Sequence, residues 1–85
     1  MYRLQYSRQA LKSLRRMPRD LARTIEGKIA VLARDPLARS NNVTTLKGEA
    51  GYRLRIGDWR VIFELHHDVL VIVIVKIAPR GSAYR

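Results

Sequence analysis

The chain has 85 residues, which is enough for one small domain, residues 1–85, with a single modest core. It contains no cysteine, which excludes a disulfide framework and a zinc–thiolate site. Seventeen Lys and Arg residues oppose seven Asp and Glu residues, and the formal net charge of +10 predicts a polyanionic partner. Nucleic acid is favoured over an acidic protein or an anionic membrane surface, because most of the basic residues are Arg and guanidinium groups match phosphate. No apolar run reaches the length of a membrane span, about 20 residues, so we expect a cytoplasmic protein with no membrane association.

The first third of the chain predicts one strand and two helices. Residues 2–6 alternate between apolar and polar side chains and predict a short strand. Ser7 is the predicted N-cap of the first helix, where apolar residues recur at helical spacing. Pro18 ends this helix and opens the second one. The second helix should end near Arg34, because Pro36 disfavours helical geometry in the residue before it.

The remainder predicts a loop and three strands. Residues 36–51 lack periodicity and predict a loop. Residues 52–63 form two alternating runs around Gly57-Asp58, which is typical of a hairpin with a two-residue type II′ turn. The second hairpin strand should reach about residue 65, and residues 66–68 make the next turn. Residues 69–77 are almost all Val, Ile and Leu, which predicts an interior strand covered on both faces.

Together these elements predict an α+β fold with the order β-α-α-β-β-β. The two N-terminal helices should pack on the apolar face of a small, mainly antiparallel four-stranded sheet. The last three strands should form an antiparallel meander, and the opposite face of the sheet should carry basic residues.

The hairpin sorts its side chains onto two faces, because successive side chains of a strand alternate. The apolar face is predicted to be core and holds Tyr52, Leu54, Ile56, Trp59, Val61 and Phe63. The other face carries Arg53, Arg55 and Arg60, and like charges on neighbouring strands destabilise a sheet. A polyanion lying across them explains the arrangement. A solvated sheet face is the alternative for the first two, and an ion pair with Glu64 is the alternative for Arg60.

Three markers occur in order along the chain: Leu46-Lys47-Gly48, the hairpin of residues 52–64, and Arg80-x-x-x-Tyr84-Arg85 after the apolar strand. In this order they resemble the RelE/ParE family of bacterial toxins, most of all the RelE-like mRNA interferases of type II toxin–antitoxin systems. The resemblance implies a ribosome-dependent endoribonuclease that cleaves mRNA in the A site through attack of the RNA's own 2′-hydroxyl and so inhibits translation. It implies no metal and no other cofactor. It implies a cognate antitoxin and the 70S ribosome with its mRNA as partners.

The resemblance also implies the site residues. The family's catalytic positions fall on the hairpin residues Arg53, Arg55 and Arg60 and on Arg80 and Tyr84 near the C-terminus. Fixed Arg donors suit the charge that develops on a phosphorane, and a Tyr ring can stack on an unpaired base.

Three positions depart from the family pattern. Well-studied members carry Lys at the positions of Arg53 and Arg55, and many relatives carry a basic residue at the position of Pro79. Arg stays protonated and is a poor general base. The general acid and the general base could therefore come from Tyr84, Tyr52, Lys47 or the ribosome.

Basic residues outside the hairpin are predicted to contact RNA phosphates. They are Lys12, Arg15, Arg16, Arg19 and, in the loop, Lys47. The basic residues of the helices are expected to contact phosphates of ribosomal RNA. Plain solvation is the equal alternative for the helical ones. His66 and His67 are predicted to be exposed turn residues rather than metal ligands.

Two other functions are open at this point. A ParE-like toxin would have the same fold but would bind and inhibit DNA gyrase. A catalytically inactive relative would bind RNA without cutting it. The Arg set together with Tyr84 favours the nuclease. An antitoxin is expected to present an acidic, partly disordered segment that folds on the basic surface.

Overall fold

The computed structural model describes residues 1–38, 41–46 and 50–81. The elements are β1 (Arg3–Tyr6), α1 (Arg8–Arg16), α2 (Arg19–Arg34), β2 (Val43–Thr45), β3 (Tyr52–Ile56), β4 (Trp59–His66) and β5 (Val71–Pro79). Within these ranges no helix is long and apolar enough to cross a membrane.

The strands form one sheet with the order β1-β5-β4-β3-β2. β1 is parallel to β5, and the other neighbours are antiparallel. The predicted hairpin register is confirmed, since Arg55 lies opposite Arg60 and Ile56 lies opposite Trp59. Gly57 has a φ of 55°, the left-handed value that the first central residue of a type II′ turn requires. β5 lies between β1 and β4, so its predicted position inside the sheet is confirmed, although β4 is the middle strand. The predicted cover on both faces was wrong, because both helices pack on the same face.

The prediction of a loop over residues 36–51 was wrong at its centre. Val43–Thr45 is an edge strand paired with β3, which makes the sheet five-stranded rather than four-stranded. Three residues are too few for alternation to stand out in a sequence, although Val and Thr favour strands. The last strand also begins two residues later than predicted, because Leu70 adopts a left-handed φ of 54° in the preceding turn.

The core lies between the two helices and one face of the sheet. Its buried side chains are Ala10, Met17, Ile25, Ile29, Leu32, Leu54, Val61, Phe63, Ile72, Ile74 and Ile77. The predicted apolar face of the hairpin is confirmed, because Tyr52, Ile56 and Trp59 also pack against this cluster. Since both helices cover the same face, the arginines of the hairpin lie on the open face.

An irregularity in β5 ties the sheet to α1. Ile62 lies opposite Lys76 while the next residue, Phe63, lies opposite Ile74, so Val75 is an extra residue in β5, as in a β-bulge. The Ser7 hydroxyl donates to the Val75 carbonyl at 2.6 Å and accepts from the backbone N–H of Ala10 at 3.0 Å. The predicted N-cap therefore also holds the bulge in place.

Replacing Ser7 with Ala should lower the free energy of unfolding by about 1–3 kcal/mol, because the variant loses the helix cap and leaves the Val75 carbonyl unpaired. Equilibrium denaturation in urea measures the loss as a lower midpoint. Ser13→Ala is the matched control. Its hydroxyl accepts a 3.4 Å bond from Gln9 within the same helix, so the change should stay within about 0.5 kcal/mol. Equal midpoints for the two variants would contradict the double role of Ser7.

Candidate active site

The β3–β4 turn and the end of β5 bring four arginines together. Arg55 and Arg60 lie directly opposite each other, and Arg53 is two residues earlier on the same face of β3. Arg80 follows β5, and its backbone N–H donates to the Asp58 carbonyl at 2.6 Å. We call Arg53, Arg55, Arg60 and Arg80 the arginine cluster. All four were predicted from the sequence as site residues, and the fold places them at one end of the open face.

Arg60 is buried, which the sequence analysis did not anticipate. Its side chain is only 7% exposed, and its Nη1 donates to the carbonyls of Gly57 and Trp59, each at 2.8 Å. The guanidinium therefore folds back onto the hairpin turn. The ion pair between Arg60 and Glu64, the alternative considered from the sequence, does not form. The Glu64 carboxylate instead pairs with His66 Nε2 at 3.1 Å.

The cluster is electrostatically strained. Burial lowers the pKa of Arg60, and the neighbouring charges of Arg55, Arg80 and Arg53 lower it further. Within the part of the chain that the structure describes, the carboxylate of Asp58 acts on this pKa in the opposite direction. Each cation thus raises the free energy of its neighbours. An anion that binds the cluster relieves this repulsion, so binding and charge neutralisation favour each other.

The four guanidinium groups differ in their exposure. Arg60 is held by backbone carbonyls, Arg53 is half-buried, and Arg55 and Arg80 are exposed. A fixed donor beside accessible ones suits a phosphate group, because a guanidinium offers paired N–H donors that match two phosphate oxygens. The arrangement can hold a phosphodiester and stabilise added negative charge on it.

A recess borders the cluster at the β2 edge of the sheet. Its volume is about 480 Å³, and Arg53 and Arg55 form one wall. Leu37, Asn42 and Thr44 contribute to the others. These three residues were not predicted as site residues, because β2 was not predicted and Leu37 lies in the irregular segment before it. The Val-Thr-Thr run, with polar Asn residues before it, was the only signal that could have revealed them.

Several predicted site residues lie elsewhere. Lys47 and Tyr84 fall outside the described residues. Tyr52 faces the core, where its ring stacks on Phe63 with centroids 5.5 Å apart. The basic residues of the helices are exposed, but they lie on the side of the sheet that the helices cover. They are Lys12, Arg15, Arg16 and Arg19. Of these, Arg16 lines a recess together with Trp59 and Pro79, which precede Arg60 and Arg80 in the chain.

The two histidines each have a partner. His66 ends β4 rather than lying in the turn, and it contacts Glu64. His67 is an exposed turn residue, as predicted, and its Nδ1 lies 2.8 Å from the Tyr2 hydroxyl. Within the described ranges no three His, Asp or Glu side chains are grouped as a metal site requires.

Comparison with known proteins identifies the family. Residues 4–84 match the family model described as the ParE toxin of the type II toxin–antitoxin system parDE. The chain belongs to the RelE/ParE toxin family. The resemblance inferred from the three sequence markers is thereby confirmed.

Relatives of this toxin include both sequences and solved structures. A toxin named RelE1 from Methanocaldococcus jannaschii is 29% identical over 86 residues, covering 99% of this chain and 96% of that protein. The crystal structure of the archaeal RelE–RelB complex from Pyrococcus horikoshii superimposes with a TM-score of 0.80 at 32% identity, covering 94% and 96% of the two chains. The intact E. coli RelBE toxin–antitoxin complex has the same fold, with a TM-score of 0.78 at 17% identity over 95% and 98% of the chains.

Pyrophosphate should raise the melting temperature of the toxin, because an anion bound to the folded cluster stabilises the folded state by mass action. Arg55→Gln should remove most of this rise, since it deletes an exposed donor without disturbing the core. Thermal unfolding with and without pyrophosphate, at an ionic strength matched with NaCl, measures the effect.

Arg23→Gln is the control for this measurement. It removes the same charge from an exposed position of α2, on the other side of the sheet, and should leave the pyrophosphate effect unchanged. An equal loss in both variants would show a response to net charge alone and would contradict an anion site at the cluster.

Proposed function

We propose that this toxin is a metal-independent endoribonuclease that cleaves ribosome-bound mRNA in the A site and so inhibits translation. The observation that carries the proposal is the arginine cluster, in which a buried guanidinium is fixed beside exposed ones. Residues 1–85 would act as one cytoplasmic domain.

The cluster suits the first chemical step. The 2′-hydroxyl of the RNA attacks the adjacent phosphorus, the new O–P bond forms a cyclic phosphate, and the bond to the 5′-oxygen of the next nucleotide breaks. Negative charge builds on the non-bridging oxygens as the phosphorus becomes five-coordinate. Arg55 and Arg80 are accessible to the phosphate, and donors preorganised toward developing charge lower the barrier without reorganising.

Proton transfer needs groups other than the arginines. A guanidinium holds its proton too tightly to accept one from a hydroxyl at neutral pH. Tyr52 packs in the core, away from the cluster. Tyr84 and Lys47 are therefore the residues of this chain that we assign to proton transfer and RNA contact, and the ribosome is the further source of an acid or base.

The proposal names two partners besides the mRNA. The first is a cognate antitoxin with an acidic segment that folds on the basic surface, in line with the antitoxin-bound RelE structures that share this fold. The second is the 70S ribosome. The exposed basic residues of the helices would contact ribosomal RNA phosphates there. They are Lys12, Arg15, Arg16 and Arg19.

A second candidate function is inhibition of DNA gyrase. The match to the ParE toxin family model favours it. A gyrase inhibitor needs a binding surface but no cluster of four arginines, so the cluster favours the nuclease. A supercoiling assay separates the two, because gyrase inhibition leaves mRNA intact.

Purified toxin should cut mRNA within codons in a reconstituted translation reaction and leave the same mRNA intact when ribosomes are omitted. Primer extension maps the new ends. Arg80→Ala and Arg55→Ala should each slow cutting by about 100-fold or more, the usual cost of removing a donor to transition-state charge. These two positions are better tests than Arg60, whose removal would also leave the Gly57 and Trp59 carbonyls without their partner.

Arg23→Ala, an exposed change on α2, should cut at the wild-type rate. Circular dichroism of all three variants checks that folding is unchanged. Cutting without ribosomes would indicate a free ribonuclease. No cutting in either reaction would contradict the proposal and leave gyrase inhibition or an inactive RNA-binding relative, which the supercoiling assay and RNA binding would distinguish.

A further inference from the structure

The recess beside the arginine cluster has the size of a ligand site. Its volume of about 480 Å³ lies within the range of about 300–1,000 Å³ that is usual for small-molecule pockets. The side chains of Arg53 and Arg55 extend from β3 and line the recess. When a phosphate binds the cluster, the sugar or base next to that phosphate therefore lies at the recess.

The outer wall of the recess is anchored to the strand that carries the arginines. The backbone N–H of Arg55 donates to the Asn42 carbonyl at 3.2 Å, and Thr44 pairs with Arg53 across the sheet. Just before this wall, the Asn41 side chain donates to the Asp35 carbonyl at 2.7 Å. The distance between wall and arginines is therefore fixed by hydrogen bonds, and a ligand can contact both at once.

Asn42 is held in an unusual conformation for a residue with a side chain. Its φ of 56° lies in the left-handed region, which Asn tolerates better than most residues because its short side chain fits there. The residue is exposed and lines the recess. Its backbone is held in place by the bond from Arg55, and its side chain brings one donor group and one acceptor group to the lining of the recess.

The lining chemistry fits a base better than a second phosphate. A phosphate requires cations, which the cluster already provides. The recess adds the Asn42 amide, the Thr44 hydroxyl and the side chain of Leu37, which is 53% exposed. Amide and hydroxyl groups match the edge of a nucleobase, and an apolar side chain covers its face.

We propose that this recess binds one unpaired base of the RNA next to the cleaved phosphate, and that Asn42 and Thr44 determine which base is preferred. The inference rests on the proposed RNA-cleaving function and adds the sequence preference to it. Phosphate contacts hold the strand without regard to sequence, so base preference must come from groups such as these.

Short RNA oligonucleotides test the recess without relying on cleavage. A 2′-O-methyl group at the cut site blocks the attacking hydroxyl, and each base is varied in turn at the flanking positions. Fluorescence anisotropy at fixed salt concentration gives the affinities. Wild-type protein should prefer one base at one position by about tenfold, the lower part of the range for a good base contact.

Asn42→Gly and Thr44→Val should each reduce this preference to about twofold or less while changing overall affinity less, since the arginine contacts remain. Glycine retains the left-handed backbone of position 42 and so removes only the side chain. Thr45→Val is the matched control. It makes the same change on the opposite face of β2, outside the recess, and should keep the wild-type preference.

The outcomes for the two hypotheses are separable. Equal binding of all bases by wild-type protein, or an unchanged preference in Asn42→Gly, would overturn the inference even if the toxin cuts mRNA on ribosomes. A preference that depends on Asn42 in a protein that never cuts mRNA would support the recess as a base site and refute the proposed cleavage. Where cutting occurs, the bases around the mapped cut sites should shift in Asn42→Gly and not in Thr45→Val.

Discussion

The hairpin turn at Gly57-Asp58 is the point on which the candidate site depends. Three successive carbonyls there accept hydrogen bonds from two arginines of the cluster. Those of Gly57 and Trp59 accept from the side chain of Arg60, and that of Asp58 accepts from the backbone of Arg80. A buried charge is costly unless it is hydrogen-bonded, and these carbonyls supply the bonds. The same contacts join the end of β5 to the turn, so structure and site share one set of interactions.

One face of the sheet forms the core that stabilises the fold, and the other face carries the arginine cluster of the candidate site. The helices bury the main apolar cluster on one face, and the other face holds mutually repelling charges. Their repulsion lowers the stability of the free protein, and the core offsets it. A polyanionic ligand, whether RNA or an acidic protein segment, recovers that energy when it binds. Under the proposed function, RNA and an acidic antitoxin segment would therefore compete for this surface without any conformational switch.

The sequence predicted the parts of the fold that rest on short-range rules. A two-residue turn sets strand register, so the alternation of side chains is enough to place Arg53, Arg55 and Arg60 on one face. Three features of the structure could not be predicted from the sequence. β2 is too short to show a period, and the unbroken apolar run of β5 hides the extra residue at Val75. The burial of Arg60 depends on a long side chain turning back on its own backbone, which strand alternation does not encode.

The parallel pairing of β1 with β5 has a consequence for synthesis. The first strand bonds to the last, and Ser7 and Gln9 reach residues 68 positions further along the chain. Contacts of such long range form late and slow folding. On a translating ribosome, β1 cannot pair with β5 until β5 has emerged. The segment that positions Arg80 is also the one that pairs with β1, so a nascent toxin cannot assemble its arginine cluster before residue 80 has been translated.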